Sequence, residues 1–212
     1  MRAIVSFRLL LITDRQRSAL PLAQRVEAAL ASLPPGSAAV QLREKDLEAR
    51  ALFQLAAELL PVCRAHRAPL LINDRIDIAL ALDLDGVHLP QASFRADEAR
   101  QLLGPSKLVG VSCHSTDEVA QARQLGADYA TFGPIFDTPS KREFGPPVGL
   151  EALREASTLG LPLFGLGGVT RANAAEVMRE RASGVAVIGA WLGEKDAGRA
   201  VQRLWDALQV HG

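Results

Sequence analysis

The chain has 212 residues, 24 Lys and Arg against 24 Asp and Glu, and 48% hydrophobic but only 5% aromatic residues. That apolar content is ample for a real core in one large domain or two small ones. Balanced charge excludes the electrostatic footprint of a nucleic-acid binder, and the scarcity of rings excludes stacking platforms and aromatic cages, which leaves backbone and charged groups to hold a ligand.

Short apolar runs alternate with longer segments of helical spacing. Leu9 to Ile12 is the first run, after which Leu22, Val26, Ala29 and Leu30 recur at helical intervals. Arg8 interrupts this region, and no run reaches the roughly 20 apolar residues that span a bilayer, so the segment reads as a buried strand rather than a secretory signal or anchor. Ala39 to Leu42 is second, followed by a helix that Asp46 should N-cap and that carries Leu52, Leu55, Ala56 and Leu59 on one face. Pro69 to Ile72 precedes Ile76, Ala79 and Leu80; Gly86 to Leu89 precedes Phe94 to Leu103; Leu108 to Val111 precedes Val119 to Leu125. Tyr129 to Phe132, Leu161 to Phe164 and Val185 to Ile188 bring the strand-like runs to eight, and Val201, Leu204, Trp205 and Leu208 mark a last helix.

Eight apolar runs without clear alternation, interleaved with helices, predict a parallel sheet covered by helices and closed into a (β/α)8 TIM barrel, a single domain over residues 1–212. The competing architecture, an open doubly wound sheet, normally has fewer strands and a glycine-rich fingerprint after the first, where this chain has Thr13 and Asp14. Cys63 and Cys113 make neither a disulfide framework nor a metal motif, so a reducing cytoplasm is the expected compartment.

A barrel predicts chemistry on the loops that follow its strands. Polar residues and glycines do collect there: Arg43 and Lys45, Asn73 and Asp74, Gln91 and Ser93, Ser112 and His114, Thr138, Ser140 and Lys141, Gly167 and Gly168, and Gly189. The glycines of GLGGV and VIGAW, after the seventh and eighth runs, would let backbone N–H groups approach a phosphate, or would only serve tight turns. Gln41, Arg43 and Lys45 share one phase of an extended strand and point to a second anion such as a diphosphate; equally, Arg43 and Lys45 could pair with Glu44 or Asp46. Asp74 could hold Mg²⁺ alongside substrate phosphates, with an N-cap for the following helix as the simpler reading. His114 titrates near neutrality and could carry a proton, although a lone histidine at a strand end is commonly structural. Ser115 should form a capping box with Glu118. His66, His88 and His211 are scattered and predict no histidine-rich metal site. The segment DTPSKREFGPP, residues 137–147, is either a functional lid or a solvated loop.

Taken in order, LLLITD, QLREK, LINDR, DGVHLPQ, GVSCHS, GADYATFGPIFDTPSK, GLGGV and VIGAW resemble the thiamine phosphate synthase and thiazole tautomerase (TenI-like) superfamily over nearly the whole chain. The resemblance implies a (β/α)8 barrel, a homodimer, and an Mg²⁺-dependent coupling of hydroxymethylpyrimidine diphosphate to a carboxylated thiazole phosphate with release of diphosphate. By position, Gln41, Arg43, Lys45 and Asn73 resemble the pyrimidine diphosphate site, Asp74 a magnesium ligand, and Ser112 and Lys141 further diphosphate contacts. Thr138 and Ser140, with Gly168, Ile188 and Gly189, resemble the thiazole phosphate clamp, and Gly167 adjoins it.

One departure bears on the metal. Synthases usually carry HLGQED after the fourth strand, the last Asp being a second magnesium ligand, whereas this chain has HLPQAS with Ser93 in that place. HLPQASF is more similar to the tautomerase branch, in which the barrel isomerises the thiazole carboxylate phosphate without a metal and a histidine at the position of His114 carries the proton. The retained Arg43, Lys45, Asn73, Asp74 and Lys141 favour coupling over isomerisation. A third possibility is a thiazole-phosphate binder that kept the phosphate site and lost turnover.

Overall fold

A computed structural model describes residues 4–138 and 145–209. Its strands are β1 (Leu9–Ile12), β2 (Ala38–Leu42), β3 (Leu70–Asn73), β4 (Gly86–Leu89), β5 (Leu108–Cys113), β6 (Tyr129–Phe132), β7 (Leu163–Leu166) and β8 (Gly184–Val187). All pair in parallel, each with its neighbours in sequence, and β8 returns to β1 to close the barrel. The helices are α1 (Leu22–Ala31), α2 (Ala49–Ala65), α3 (Ile76–Ala81), α4 (Ala96–Leu103), α5 (Thr116–Gln124), α6 (Gly149–Ser157), α7 (Ala174–Arg179), α8 (Gly189–Leu192) and α9 (Ala197–Gln209). This is the TIM barrel that the alternation of runs predicts, and among the described residues no helix is long and apolar enough to cross a membrane.

The strands look uniformly apolar because both of their faces are buried, yet the two faces do different work. Leu9 and Leu11 of β1 pack outward into the layer beneath the helices, while Leu10 and Ile12 enter the barrel with Ala39, Leu71, Leu108, Tyr129, Phe164 and Ala186. Phe7, Tyr129 and Phe164 form the aromatic part of that interior, with ring centroids 5.0 to 5.8 Å apart. Three of the ten rings in this sequence are spent on filling the barrel. Helix α1 buries Leu22, Val26, Ala29 and Leu30, as its spacing requires, and α9 buries Val201, Leu204 and Leu208, with Trp205 only half-buried.

Four local expectations change. Strand β7 lies two residues later than the apolar run suggests, because Pro162 has no N–H for the ladder and serves instead as an acceptor from Ala130 N at 2.9 Å. Asp46 does not cap α2: that helix starts at Ala49, and Asp46 accepts two hydrogen bonds from the Arg15 guanidinium, at 2.6 and 2.7 Å. Those bonds hold the Asp46 carboxyl down at about 2. Asp74 does not cap α3 either, as Arg75 occupies the cap position and no side chain caps that end. Ser115 does cap α5, accepting from Glu118 N at 3.2 Å, but the Glu118 carboxylate reaches His114 N at 2.6 Å rather than the Ser115 amide.

Candidate active site

A cavity of about 170 Å³ opens at the carboxyl ends of the strands. Every strand reaches it through the same phase, the one that points into the barrel: Gln41, Arg43 and Lys45 follow Ala39, Asn73 follows Leu71, and Ser112 and His114 follow Gly110. Gly167 and Ile188 close the far side. Of the residues expected at a site, these eight line one cavity. Asp74, Ser93, Gly168 and Gly189 stand on the adjoining loops, Thr138 follows Asp137 beside Gly168, and Ser140 and Lys141 lie outside the described residues.

Two side chains in the cavity wall were not foreseen, His88 and Thr131. Their signal was the strand phase: the register sets His88 beside Asn73 and Thr131 beside Ser112, in the same inward row. A second unforeseen pair, Glu44 and Thr13, works from behind. Glu44, on the outward phase, is buried and accepts from the Thr13 hydroxyl at 2.6 Å and from Arg15 N at 3.0 and 3.1 Å. Thr13 Oγ1 in turn accepts from Arg43 N at 2.9 Å. Glu44 and Asp46 are thus engaged by Thr13 and Arg15, so the alternative in which they neutralise Arg43 does not hold. The effect is to lock the end of β2 with Arg43 facing the mouth.

Gln41 is 2% exposed. Its amide donates to Asn73 Oδ1 at 3.2 Å, and its carbonyl oxygen is buried with no hydrogen-bond partner among the described residues. An acceptor left without a donor costs roughly 1–3 kcal/mol, a cost that a donor from a ligand in the cavity would remove.

Asp74 has a left-handed backbone, φ 67°, in the turn where its amide donates to His88 O at 3.0 Å. Its exposed carboxylate accepts a hydrogen bond from the Ser93 hydroxyl, which ties the loop after β3 to the loop after β4. Among the described residues no group of three or more His, Cys, Asp or Glu could hold a metal. One carboxylate beside a hydroxyl at the rim of a cationic cavity still suits Mg²⁺, which keeps most of its waters and typically takes one or two carboxylates plus substrate phosphates.

The glycines divide by what surrounds them. At Gly168, φ 66°, a Cβ would meet Phe136 Cβ at 2.7 Å, and at Gly167 it would meet Pro134 at 2.6 Å, so both let the loop after β6 pack on the loop after β7. At Gly189 a Cβ would meet only Arg17 Nη1 at 3.8 Å, and the space above the first residue of α8 is open. Gly189 therefore answers no packing need within the described residues, and its open backbone is the feature a phosphate would use.

His114 is exposed at the rim, and its Nδ1 lies 2.5 Å from Gly133 O. A carbonyl only accepts, so Nδ1 carries the proton and Nε2 is available as an acceptor.

A family model described as thiamine monophosphate synthase matches residues 9–191. The thiamine-phosphate synthase of Roseiflexus castenholzii is 46% identical over 196 residues, 92% of this chain and 85% of that one. The thiamine-phosphate synthase of Moorella thermoacetica is 43% identical over 198 residues, 93% of both chains. The solved structure of a thiamine phosphate pyrophosphorylase from Pyrococcus furiosus superposes with a TM-score of 0.86 at 31% identity, over 97% of this chain and 96% of that one.

Proposed function

The chain belongs to the thiamine monophosphate synthase family, and we propose that its cavity couples hydroxymethylpyrimidine diphosphate to a carboxylated thiazole phosphate. The observation that carries this reading is Gln41, which lines the cavity beside Arg43 and Asn73 and whose buried carbonyl oxygen has no hydrogen-bond partner among the described residues. An aminopyrimidine supplies the missing donor, and its diphosphate supplies the anion for the neighbouring cations. The enzyme is taken as a homodimer acting in the cytoplasm, by the resemblance and by its free cysteines.

In the reaction the thiazole nitrogen forms a bond to the exocyclic methylene carbon of the pyrimidine. The C–O bond of that carbon breaks, and its electron pair leaves with the diphosphate. The bond from the thiazole ring to its carboxylate also breaks: carbon dioxide departs, the electron pair stays with the ring system, and one proton from solvent is taken up to give the aromatic product that no longer carries the carboxylate. Arg43 and Lys45, with Lys141 outside the described residues, take up negative charge as it grows on the leaving group. A bound Mg²⁺, held by Asp74 with Ser93 beside it, would supply further charge neutralisation on that diphosphate. Gln41, Asn73 and Ser112 orient the pyrimidine, while Gly189 and Ile188, with Gly168, Thr138 and Ser140, receive the thiazole phosphate. Holding both rings at attack distance contributes much of the rest of the acceleration.

The test is direct. Purified protein given both substrates should release diphosphate in step with thiamine phosphate, and only with Mg²⁺ present. Isomerisation of the thiazole carboxylate phosphate without metal, and no diphosphate, would instead assign the chemistry to His114, which His114→Asn would then abolish. Tight thiazole-phosphate binding by calorimetry with neither reaction would mark a binder.

Three substitutions probe the pieces. Ser93→Asp adds a second carboxylate next to Asp74 and should lower the Mg²⁺ concentration for half-maximal diphosphate release by on the order of tenfold. An unchanged Mg²⁺ titration would remove Ser93 from the metal's surroundings. Gly189→Ala should raise the KM for the thiazole phosphate about tenfold with an unchanged melting temperature, because the new methyl enters ligand space and touches no protein atom closely. Gly168→Ala should, beyond any effect on the thiazole phosphate, destabilise the fold by more than about 1 kcal/mol through its φ and its clash with Phe136.

A further inference from the structure

Below the cavity floor a chain of hydrogen bonds runs from the barrel interior to the wall. His88 is 2% exposed; its Nδ1 lies 3.0 Å from the Tyr129 hydroxyl and its Nε2 lies 3.0 Å from Ser112 Oγ, with Thr131 Oγ1 further off at 3.4 Å. Tyr129 is fully buried, packed edge-on against Phe7 and Phe164. Strand β5 makes room for it: a Cβ at Gly110 would fall 2.1 Å from Tyr129 Cζ and 2.4 Å from its hydroxyl.

The direction of every bond in this chain follows from its buried end. Among the described residues His88 Nδ1 is the hydrogen-bond partner that the Tyr129 hydroxyl has. If Nδ1 carried a proton, the phenol would have to accept it, and its own O–H would be orphaned in an apolar layer at a cost of roughly 1–3 kcal/mol. The phenol therefore donates to Nδ1, and the imidazole proton sits on Nε2. A second proton does not join it, since Nδ1 is already the acceptor for the phenol and the ring is buried away from water. Nε2–H then donates to Ser112 Oγ. The Ser112 hydroxyl, with a lone pair taken, has its own proton left for an acceptor in the cavity.

We propose that Tyr129 and His88 are positioning residues that fix Ser112 as a hydrogen-bond donor into the mouth, so that the site selects a substrate presenting an acceptor atom there. This rests on the coupling reaction for the identity of the substrate, in which the acceptor is a pyrimidine ring nitrogen or a diphosphate oxygen.

The tautomer is read in the ligand-free protein by ¹⁵N NMR of labelled histidine, independently of any activity. A neutral His88 protonated at Nε2 is expected; protonation at Nδ1 or a charged ring near neutral pH overturns the proposal. Tyr129→Phe keeps the ring and its packing and should raise the KM for the pyrimidine diphosphate roughly three- to tenfold with kcat little changed. In a Ser112→Ala background the same substitution should have no further effect on KM, whereas a merely structural role would give the same loss in both backgrounds. Titration with hydroxymethylpyrimidine and, separately, with inorganic diphosphate shows the acceptor's source: weakened binding of either to Tyr129→Phe supports the relay, and unchanged binding of both counts against it.

Discussion

Asp74→Asn should reduce Mg²⁺-dependent diphosphate release by roughly 10²-fold or more, because it removes the carboxylate charge at the rim where the metal and the leaving group would meet. Asparagine is the informative replacement for three reasons. It tolerates the left-handed backbone, φ 67°, that Asp74 adopts. Its amide oxygen can still accept from the Ser93 hydroxyl, so the tie between the two loops survives. Asp74 caps no helix here, so no capping energy is lost with the charge. The melting temperature should therefore stay close to that of the parent, and calorimetric affinity for the thiazole phosphate alone should be unchanged. An Asp74→Asn protein with undiminished turnover would remove the metal from this position, and a large drop in stability would return the residue to a structural role.

Much of this arrangement was legible in the sequence, and the rest was hidden for identifiable reasons. The runs Leu9–Ile12, Gly86–Leu89 and Tyr129–Phe132 coincide with β1, β4 and β6 because short buried strands are bounded by the polar residues that end them. Strand β7 was displaced because Leu161 is as buried as a strand residue while lying outside the ladder. Helices α6, α7 and α8 gave no clear periodicity: α7 and α8 are only six and four residues long, too short to establish one. At the site, Gln41, Arg43 and Lys45 were legible together because their spacing of two survives as a shared direction. His88 was passed over because a single histidine inside an apolar run says nothing until the register sets it between Asn73 and Gly110. The partners of Glu44 and Asp46 were illegible for a similar reason. Arg15 lies about thirty residues away, and only closure of β1 on β2 makes it a better partner than the adjacent cations.

That last contact leads to the second large effect expected. Arg43→Ala should lower kcat/KM for the pyrimidine diphosphate by about 10²- to 10³-fold while leaving the KM for the thiazole phosphate near its parent value. The side chain is half-buried at the mouth, and its backbone amide is held by Thr13 Oγ1, itself anchored on Glu44, so its aim is set before substrate arrives. Arg43→Lys should recover only part of the loss, since an ammonium restores the charge without the planar fork that grips two oxygens at once. A second measurement separates lost charge from lost shape. The Arg43 charge helps hold the buried His88 neutral, though burial is the larger cause. Removing it should shift the His88 titration upward, and burial should still keep the ring neutral at the working pH. A rise seen in Arg43→Ala and absent in Arg43→Lys would show that the cation's field reaches the floor of the cavity. Equal His88 behaviour in both variants would confine Arg43's influence to the leaving group at the rim.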